Sequence, residues 1–407
     1  MVCIFLQTLF YLSLCKKFFV MRHILLFLTF AFLLSCEQID HALPDSDTDL
    51  KGLVSSRDVA RMLSSLPLGA EQLGEVFDAV SSSSRNGYDE EYTMEDLFTL
   101  PGAGVGDKTT KATPKNYSVP LKDMIAEYLS GTKAGETPFS ASDLQNSGLQ
   151  LYWPWYDKWD KTSYPAITFD PGDGSSSNIA YQLSKNEDGS VKVKEIVVNE
   201  AYAAENPVWI VNANDDATYT SLELLRRELA QGEDDAEIII GKRETGAPLK
   251  TLVLSSFTML SNYDSWLAGG SEFFIKCGSV ENFNAATEAE LKLYNPYITD
   301  FMIEVRRKEV GIPQRINTIL VDNWTDQLER CAFMITEDDG GTWTHWNAVG
   351  EVKIKSKTYG FNVDIPYRSQ DDIVWRGSLS YDYFDKYRKE PGRFGEVEVT
   401  FDFVERY

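Results

Sequence analysis

The first residues after residue 53 show apolar positions with helical spacing. Between residues 59 and 66 they recur at intervals of three and four, which places them on one face of a helix. Ser55 stands before this run as a candidate N-cap, and Pro67 ends it. Residues 73–80 repeat the spacing, and residues 120–129 hold a further short helical pattern. The pattern predicts short amphipathic helices that must pack against the rest of the fold, because none is stable alone.

Strand patterns take over from residue 148. Residues 178–198 predict a hairpin that bends at Asp188 and Gly189, and residues 207–211 read as a short buried strand. Thr220 and Glu223 form the pattern of a capping box that opens a helix ending near Gly232. Two more apolar runs, at 236–241 and 249–257, predict strands. Residues 148–265 are therefore predicted to form a β-rich α+β domain.

The last 140 or so residues are a succession of short alternating segments. Seven or eight strands with turn residues between them are typical of an antiparallel β-sandwich. At the end of the chain, apolar residues at 397, 399, 401 and 403 alternate with polar ones, so they are expected to face inward. The predicted fold class is α+β and mostly β: a helical region and linker at 54–147, the β-rich middle domain, and a sandwich at 266–407.

Residues 21–36, MRHILLFLTFAFLLSC, have the layout of an export signal. A basic head at Arg22 and His23 precedes an apolar run of residues 24–34, which is well short of the roughly 20 residues that span a bilayer. Small Ser35 then precedes Cys36. These features predict a signal peptide at 1–35, with Met21 as an alternative start, and a mature chain that begins at Cys36. The polar, acidic residues 36–53 are expected to form a flexible tether.

The segment ending at Cys36 resembles the lipobox of bacterial lipoproteins, whose cysteine is acylated on its thiol and on its new amino terminus. Phrases such as NGYDEEY, NPVWIVNANDD and ITEDDGGTW are similar to those of uncharacterised lipoproteins of Bacteroidota-type cell envelopes. The resemblance implies an exported protein that is anchored to the cell envelope, at the outer membrane or cell surface, through palmitate-type chains. It implies no activity.

Charge narrows the choice of partners. Without the three basic residues of 1–35, the chain has 36 basic and 62 acidic residues, a net charge of −26. Such a field repels phosphate backbones and anionic lipid head groups, so no nucleic-acid partner is expected and only acyl chains are expected to contact the membrane. Cations are favoured.

Cysteine and histidine counts exclude several chemistries. Beyond Cys36 only Cys277 and Cys331 remain, and each lies in an apolar strand-like run, where it either forms a disulfide or packs as a free thiol. Beyond residue 53 the chain has a single histidine, His345. Multi-histidine zinc sites and Ser-His-Asp triads are therefore disfavoured.

The aromatic cluster at 152–159 is the first candidate site. Trp153, Trp155 and Trp159 lie within seven residues, and an exposed row of flat rings is a platform for the faces of sugars. The alternative is that alternate rings of a strand fill a core, with Pro154 marking an edge.

Acidic clusters supply the other candidates. A calcium site is predicted at Glu337, Asp338 and Asp339, assisted by Asp322 or Asp326, because sandwich loops can bring together the oxygens that calcium prefers. Solvated hairpin tips are the alternative. Glu200 and Asp170, each at a strand end, are the first pair to consider for a glycoside hydrolase.

The prediction that accounts for most of these features is a lipid-anchored, non-enzymatic module of the cell envelope. Its ligand is expected to be a glycan or a protein, or else its role is structural. The alternatives are a carboxylate-based glycoside hydrolase and a calcium-dependent adhesion module.

Overall fold

The computed structural model describes residues 54–99, 115–131, 138–186, 191–214, 219–230 and 249–406. The predicted signal peptide, Cys36 and the tether lie outside these ranges, as do the strand predicted at 236–241 and the hairpin bend at Asp188 and Gly189. The described residues belong to one compact unit. In this part of the chain, no helix is both long and apolar enough to cross a membrane.

The predicted N-terminal helices are present. The side chain of Ser55 accepts a hydrogen bond from the backbone N–H of Asp58 at 3.3 Å, so it caps the first helix as its position suggested. The helix then ends before Pro67. The helices of this region are α1 (Ser56–Ser65), α2 (Ala70–Arg85), α3 (Met94–Thr99), α4 (Leu121–Gly131) and α5 (Ala141–Gln145).

A six-stranded sheet packs against these helices. Its strand order is β1-β2-β6-β3-β4-β5, and all neighbours are antiparallel except the parallel pair β3 and β6. Its strands are β1 (Glu91–Thr93), β2 (Leu149–Tyr152), β3 (Ala166–Phe169), β4 (Ser177–Lys185), β5 (Val191–Asn199) and β6 (Val208–Ala213). Within this region lie a 3₁₀ turn (Tyr156–Lys158) and helix α6 (Glu200–Ala203). Helix α7 (Leu222–Ala230) begins where the sequence predicted a helix, but the hydroxyl of Ser221, not that of Thr220, accepts the N–H three residues on, from Leu224 at 3.1 Å.

The two faces of this first sheet bury different partners. One face packs Trp153 and Trp209 against the apolar sides of α1 and α2. The other face carries Tyr152 and Ile210 and packs on Trp266, which lies between the strands Leu249–Met259 and Ser271–Ser279 of the C-terminal half. Because both faces are covered, the central strand β6 is apolar along nearly its whole length.

Two further sheets form the C-terminal half, and all their strand pairs are antiparallel. One has the order β10-β7-β16-β15, and the other has the order β13-β12-β11-β8-β9 with β14 also paired to β11. The strands are β7 (Leu249–Met259), β8 (Ser271–Ser279), β9 (Tyr297–Val305), β10 (Gln314–Trp324), β11 (Leu328–Glu337), β12 (Trp343–Ile354), β13 (Lys357–Arg368), β14 (Asp372–Ser380), β15 (Pro391–Phe394) and β16 (Val397–Arg406). Connections include α8 (Glu288–Leu291), a 3₁₀ turn (Arg307–Glu309) and α9 (Tyr381–Lys386).

These two sheets share one hydrophobic core, which fits the predicted β-sandwich. Phe333 of one sheet packs on Phe401 of the other with ring centroids 5.4 Å apart. The inward alternation expected at 397–403 is present, since Val397, Val399, Phe401 and Phe403 are all buried. The predicted α+β, mostly β fold class is therefore confirmed.

The two remaining cysteines lie inside this core. Cys277 and Cys331 are both fully buried, and both are free thiols in the structure. Of the two alternatives for this pair, the structure therefore has the free, packed form.

Three consecutive basic residues join the sandwich to the N-terminal half. The guanidinium of Arg306 donates to the carbonyl oxygens of Ser84 and Tyr88, at 2.6 and 3.2 Å. Arg307 forms an ion pair with Glu200 at 2.9 Å. The Arg306 contacts hold the C-terminal end of α2, and the residues just after it, against the sandwich.

Lys308 completes this junction. Its ammonium lies 2.5 Å from the carboxylate of buried Glu90 and 3.1 Å from that of Asp157. Burial and the neighbouring Asp89 raise the pKa of Glu90 to about 7, while Lys308 acts in the opposite direction. The basic triplet therefore offsets acidic charge that the junction buries.

We predict that Lys308→Met destabilises the protein by about 2 kcal/mol at pH 8, because it leaves the buried carboxylate of Glu90 without its cation. The loss is expected to shrink at pH 5, where Glu90 takes up a proton instead. Urea denaturation at the two pH values measures both effects. Lys353→Met is the matched control, since its ion pair with Glu329 is half-exposed and is worth about 0.5 kcal/mol. Equal losses at pH 5 and pH 8 for Lys308→Met would contradict this account of the junction.

Candidate functional site: an aromatic cleft beside the first sheet

The candidate site is built on the loop that follows β2. That strand has only four residues, because Pro154 cannot donate a ladder hydrogen bond and the chain turns away from the sheet. Trp155 then adopts a left-handed backbone conformation with φ of 54°, and Lys161 does the same with φ of 64°. Such values are uncommon for residues other than glycine and cost about 1 kcal/mol each. The surrounding structure must therefore hold this loop in place.

Glu90 supplies much of that hold. Its backbone carbonyl accepts a hydrogen bond from the N–H of Trp153 at 2.8 Å, and its carboxylate accepts one from the N–H of Trp155 at 3.3 Å. The same carboxylate pairs with Lys308, so the aromatic loop is connected to the sandwich through one side chain.

The far end of the loop is fixed by Asp160. Its carboxylate accepts hydrogen bonds from the backbone N–H groups of Thr162 and Ser163, at 2.8 and 2.7 Å. Hydrogen bonds from Ser163 and then Thr162 hold the pKa of Asp160 well below its usual range. The indole N–H of Trp159 donates to the carbonyl of Ser163 at 2.8 Å. Both ends of the loop are therefore anchored, which fixes where its rings lie.

All three predicted tryptophans line one cleft of about 280 Å³. Trp153 is fully buried, with its ring 5.2 Å from Trp159 and 5.8 Å from Trp209 between centroids, so it forms the base of the cleft. Trp155 and Trp159 are half-buried and line the cleft as partly accessible rings. Both alternatives from the sequence are thus partly realised: one ring fills the core and two remain accessible.

The opposite wall comes from other parts of the first sheet. It consists of Gln182 on β4 and of residues at and after α6, namely Tyr202, Glu205 and Asn206. The amide of Gln182 lies 3.4 Å from the hydroxyl of Tyr202. Burial raises the pKa of Tyr202, so its hydroxyl stays protonated and able to donate at neutral pH.

The cleft therefore combines flat aromatic surface with hydroxyl, amide and carboxylate groups. Lys158 adds an ammonium that lies 5.7 Å from the Trp155 ring centroid and donates to the carbonyl of Ala204 at 3.0 Å. Rings of this kind contact the apolar faces of sugars, and the polar groups match sugar hydroxyls. A cleft of this size suits one ring-shaped molecule better than an extended peptide.

The predicted calcium residues make different contacts in the structure. Glu337 joins Asp264 and Glu272, whose carboxylate oxygens all lie within 4.8 Å of one another. Asp338 instead forms an ion pair with Arg368 at 3.4 Å. Calcium binding through residues 337–339 stays a prediction, with only Glu337 placed in a carboxylate group of this kind.

The other acids named with these loops have their own surroundings. Loss of solvation, together with the neighbouring acids Asp264 and Asp372, raises the pKa of Asp339 to about 6. Asp322, proposed as an additional ligand, donates through its backbone to Glu281 at 3.3 Å, and Asp326 pairs with Lys250 at 3.5 Å. Assistance from Asp322 or Asp326 to the 337–339 loop stays a prediction.

The pair proposed for glycoside hydrolysis lies elsewhere as well. The carboxylate of Glu200 is engaged by Arg307 in the junction, and that of Asp170 accepts a hydrogen bond from the N–H of Gly172 at 3.0 Å. Neither residue lines the aromatic cleft.

Comparisons with known proteins add no candidate function. No family model matches the chain, and neither the curated proteins nor the solved structures include one that is similar to it. The function is therefore argued from the geometry described above.

The acids around the 337–339 loop generate a prediction about pH. Burial is the main cause that raises the pKa of Asp371 to about 7 in the folded state, from an ordinary value near 3.8. The folded protein thus holds a proton that the unfolded chain releases, so this contribution to stability is complete below about pH 4 and is lost as the pH rises to about 7.

We expect Asp371→Asn to flatten the fall in melting temperature between pH 4 and pH 7, because asparagine is uncharged throughout this range. The backbone N–H of Arg368 donates to Asp371 at 2.9 Å, and the amide oxygen of asparagine can accept the same hydrogen bond. Differential scanning calorimetry at several pH values measures this. Asp364→Asn, at an exposed position on β13, is the control and should retain the wild-type pH profile. If both variants shift the curve of melting temperature against pH by the same amount without changing its shape, Asp371 is not the source of the pH dependence.

Proposed function

We propose that this chain is a lipid-anchored module of the cell envelope that binds a glycan in the aromatic cleft and catalyses no reaction. The observation that carries the proposal is the convergence of Trp153, Trp155 and Trp159 with Tyr202 and Gln182 in one cleft. The aromatic stretch alone suggested a platform, and the cleft adds the hydrogen-bonding wall that a sugar ligand needs.

The strain in the loop supports a binding role. Trp155 and Lys161 hold unfavourable backbone conformations, and Glu90 and Asp160 anchor the segment on either side. Unfavourable conformations that the surroundings maintain occur often at ligand sites, where they keep a side chain in its binding position. A preorganised aromatic ring loses little entropy when the ligand binds.

The carboxylates of the cleft favour binding over catalysis. A glycoside hydrolase needs two carboxyl groups that face the scissile bond, one of them with a raised pKa. Asp160 is engaged by its own turn, and its pKa is lowered. It is therefore unsuited to act as the acid, and Glu205 remains as a single carboxylate at the cleft.

The membrane anchor rests on the leader pattern that ends at Cys36. Acyl chains on this cysteine would hold the protein at the envelope, since two chains together bind a bilayer stably. The resemblance to lipoproteins of Bacteroidota-type envelopes supports an outer-membrane or cell-surface location. An acidic, exported binding module of this kind would present its cleft to glycans outside the cytosol.

A glycan array probed with the chain begun after Cys36 tests the proposal and identifies the ligand. For a glycan found in this way, Trp155→Ala is expected to weaken binding about 30-fold, equivalent to about 2 kcal/mol, because it removes an aromatic contact surface. Isothermal titration calorimetry measures the change. Trp343→Ala removes a more exposed indole outside the cleft and should leave the affinity unaltered. Equal effects of the two substitutions would place the binding surface elsewhere.

Mass spectrometry of the native amino terminus tests the anchor. We expect a chain that begins at Cys36 and carries acyl groups. Cys36→Ser should move the protein from the membrane fraction to the soluble fraction, because serine has no thiol to accept a lipid. An intact leader, or a chain that stays in the membrane fraction without its cysteine, would contradict the anchored location.

A further inference from the structure

A second cavity, of about 480 Å³, lies in the sandwich and shares no lining residue with the aromatic cleft. It forms where β11 changes partners: Arg330 is paired with Glu351 of β12 and also with Ser380 of β14. The cavity thus lies beside paired strands of the larger sheet.

The charges around this cavity are unbalanced. Six charged side chains line it: Asp326, Glu329, Arg330, Glu351, Lys353 and Asp382. Arg330 pairs with Glu351 at 3.1 Å, and Lys353 pairs with Glu329 at 3.3 Å. The two basic groups thereby offset two of the four acids, and the lining keeps a net charge of −2.

Asp382 is the acid that this arrangement leaves available. It lies exposed in the first turn of α9, and within the described ranges no basic group forms an ion pair with it. Asp326, the other excess acid, is held by Lys250 at 3.5 Å, although its side chain is 94 % exposed and the pair is correspondingly weak.

The cavity wall already accommodates one ammonium group. The Nζ of Lys250 lies 4.9 Å from the ring centroid of Tyr381 and 3.1 Å from its hydroxyl. Tyr381 lines the cavity immediately before Asp382, so an aromatic face and a carboxylate stand together there. This combination attracts organic cations through cation–π and charge interactions. The negative field of the whole chain would raise the local concentration of such ligands.

We propose that this cavity binds an organic cation that carries a primary ammonium group, with Asp382 as the counter-ion. Tyr381 contacts the apolar part of the ligand, and the hydroxyls of Thr325 and Ser380 offer further hydrogen bonds to the ammonium. The ligand is either a free polyamine or a lysine side chain of a partner protein. This site is independent of the glycan cleft.

The test is an NMR and calorimetric titration of the full chain in detergent at low salt. The probes are spermidine, N-acetyl-lysine methylamide and its uncharged analogue N-acetyl-norleucine methylamide. We expect one of the two amines to bind with 1:1 stoichiometry and to shift resonances of Trp324 and Tyr381, and the uncharged analogue to produce no such shift. Tighter binding of spermidine identifies a free polyamine as the source, whereas tighter binding of the lysine amide identifies a protein side chain.

Asp382→Asn is expected to weaken amine binding at least about fivefold, since it removes the counter-ion. Asp385→Asn is the matched control: it lies exposed on the same helix, changes the net charge equally, and does not line the cavity. Its affinity should stay within about twofold of the wild type. Because Asp382 is exposed, the variant should fold, and circular dichroism confirms this. The proposal is overturned if neither amine binds, if the uncharged analogue binds equally well, or if both substitutions weaken binding to the same extent.

Discussion

The ion pair between Lys308 and Glu90 is the interaction on which the arrangement of the molecule depends. It joins residues 218 positions apart and lies where the sandwich meets the N-terminal half. Glu90 is nearly fully buried, so its carboxylate needs either a cation or a proton. The same residue accepts hydrogen bonds from Trp153 and Trp155. One side chain thus connects the packing of the two halves to the position of the aromatic loop.

This connection explains how a strained loop can be part of a stable structure. The left-handed conformation of Trp155 is unfavourable in isolation, and a loop held only by its own residues would relax. Here the loop is attached at one end to Glu90 and at the other to the turn around Asp160. The half-buried rings of Trp155 and Trp159 are therefore available to a ligand without a large loss of conformational entropy. The amine cavity is preorganised in a different way, because paired β-strands form its walls.

Much of the secondary structure could be predicted from local pattern. The spacing of apolar residues at 59–66 and Ser55 as the cap predicted α1, and alternation at 397–403 predicted the inward face of β16. Prediction was weaker where a local signal had two meanings. The aromatic run at 152–159 suggested either a platform or a core strand, and the structure divides its rings between those roles. The acidic triplet at 337–339 suggested one site, and only the tertiary contacts show that Glu337 joins a group of carboxylates while Asp338 pairs with Arg368.

By itself, the sequence determined the positions of most helices and strands, the acidic character of the chain, the leader pattern and the three tryptophans of the cleft. These properties are local or additive, so they can be read without knowing which segments meet. The tertiary structure decided that Gln182, Tyr202 and Glu205 face those tryptophans, that Lys308 neutralises Glu90, and that Asp382 remains available beside Tyr381. Each of these depends on strand register and on contacts between distant segments, and periodicity along the chain carries no information about either.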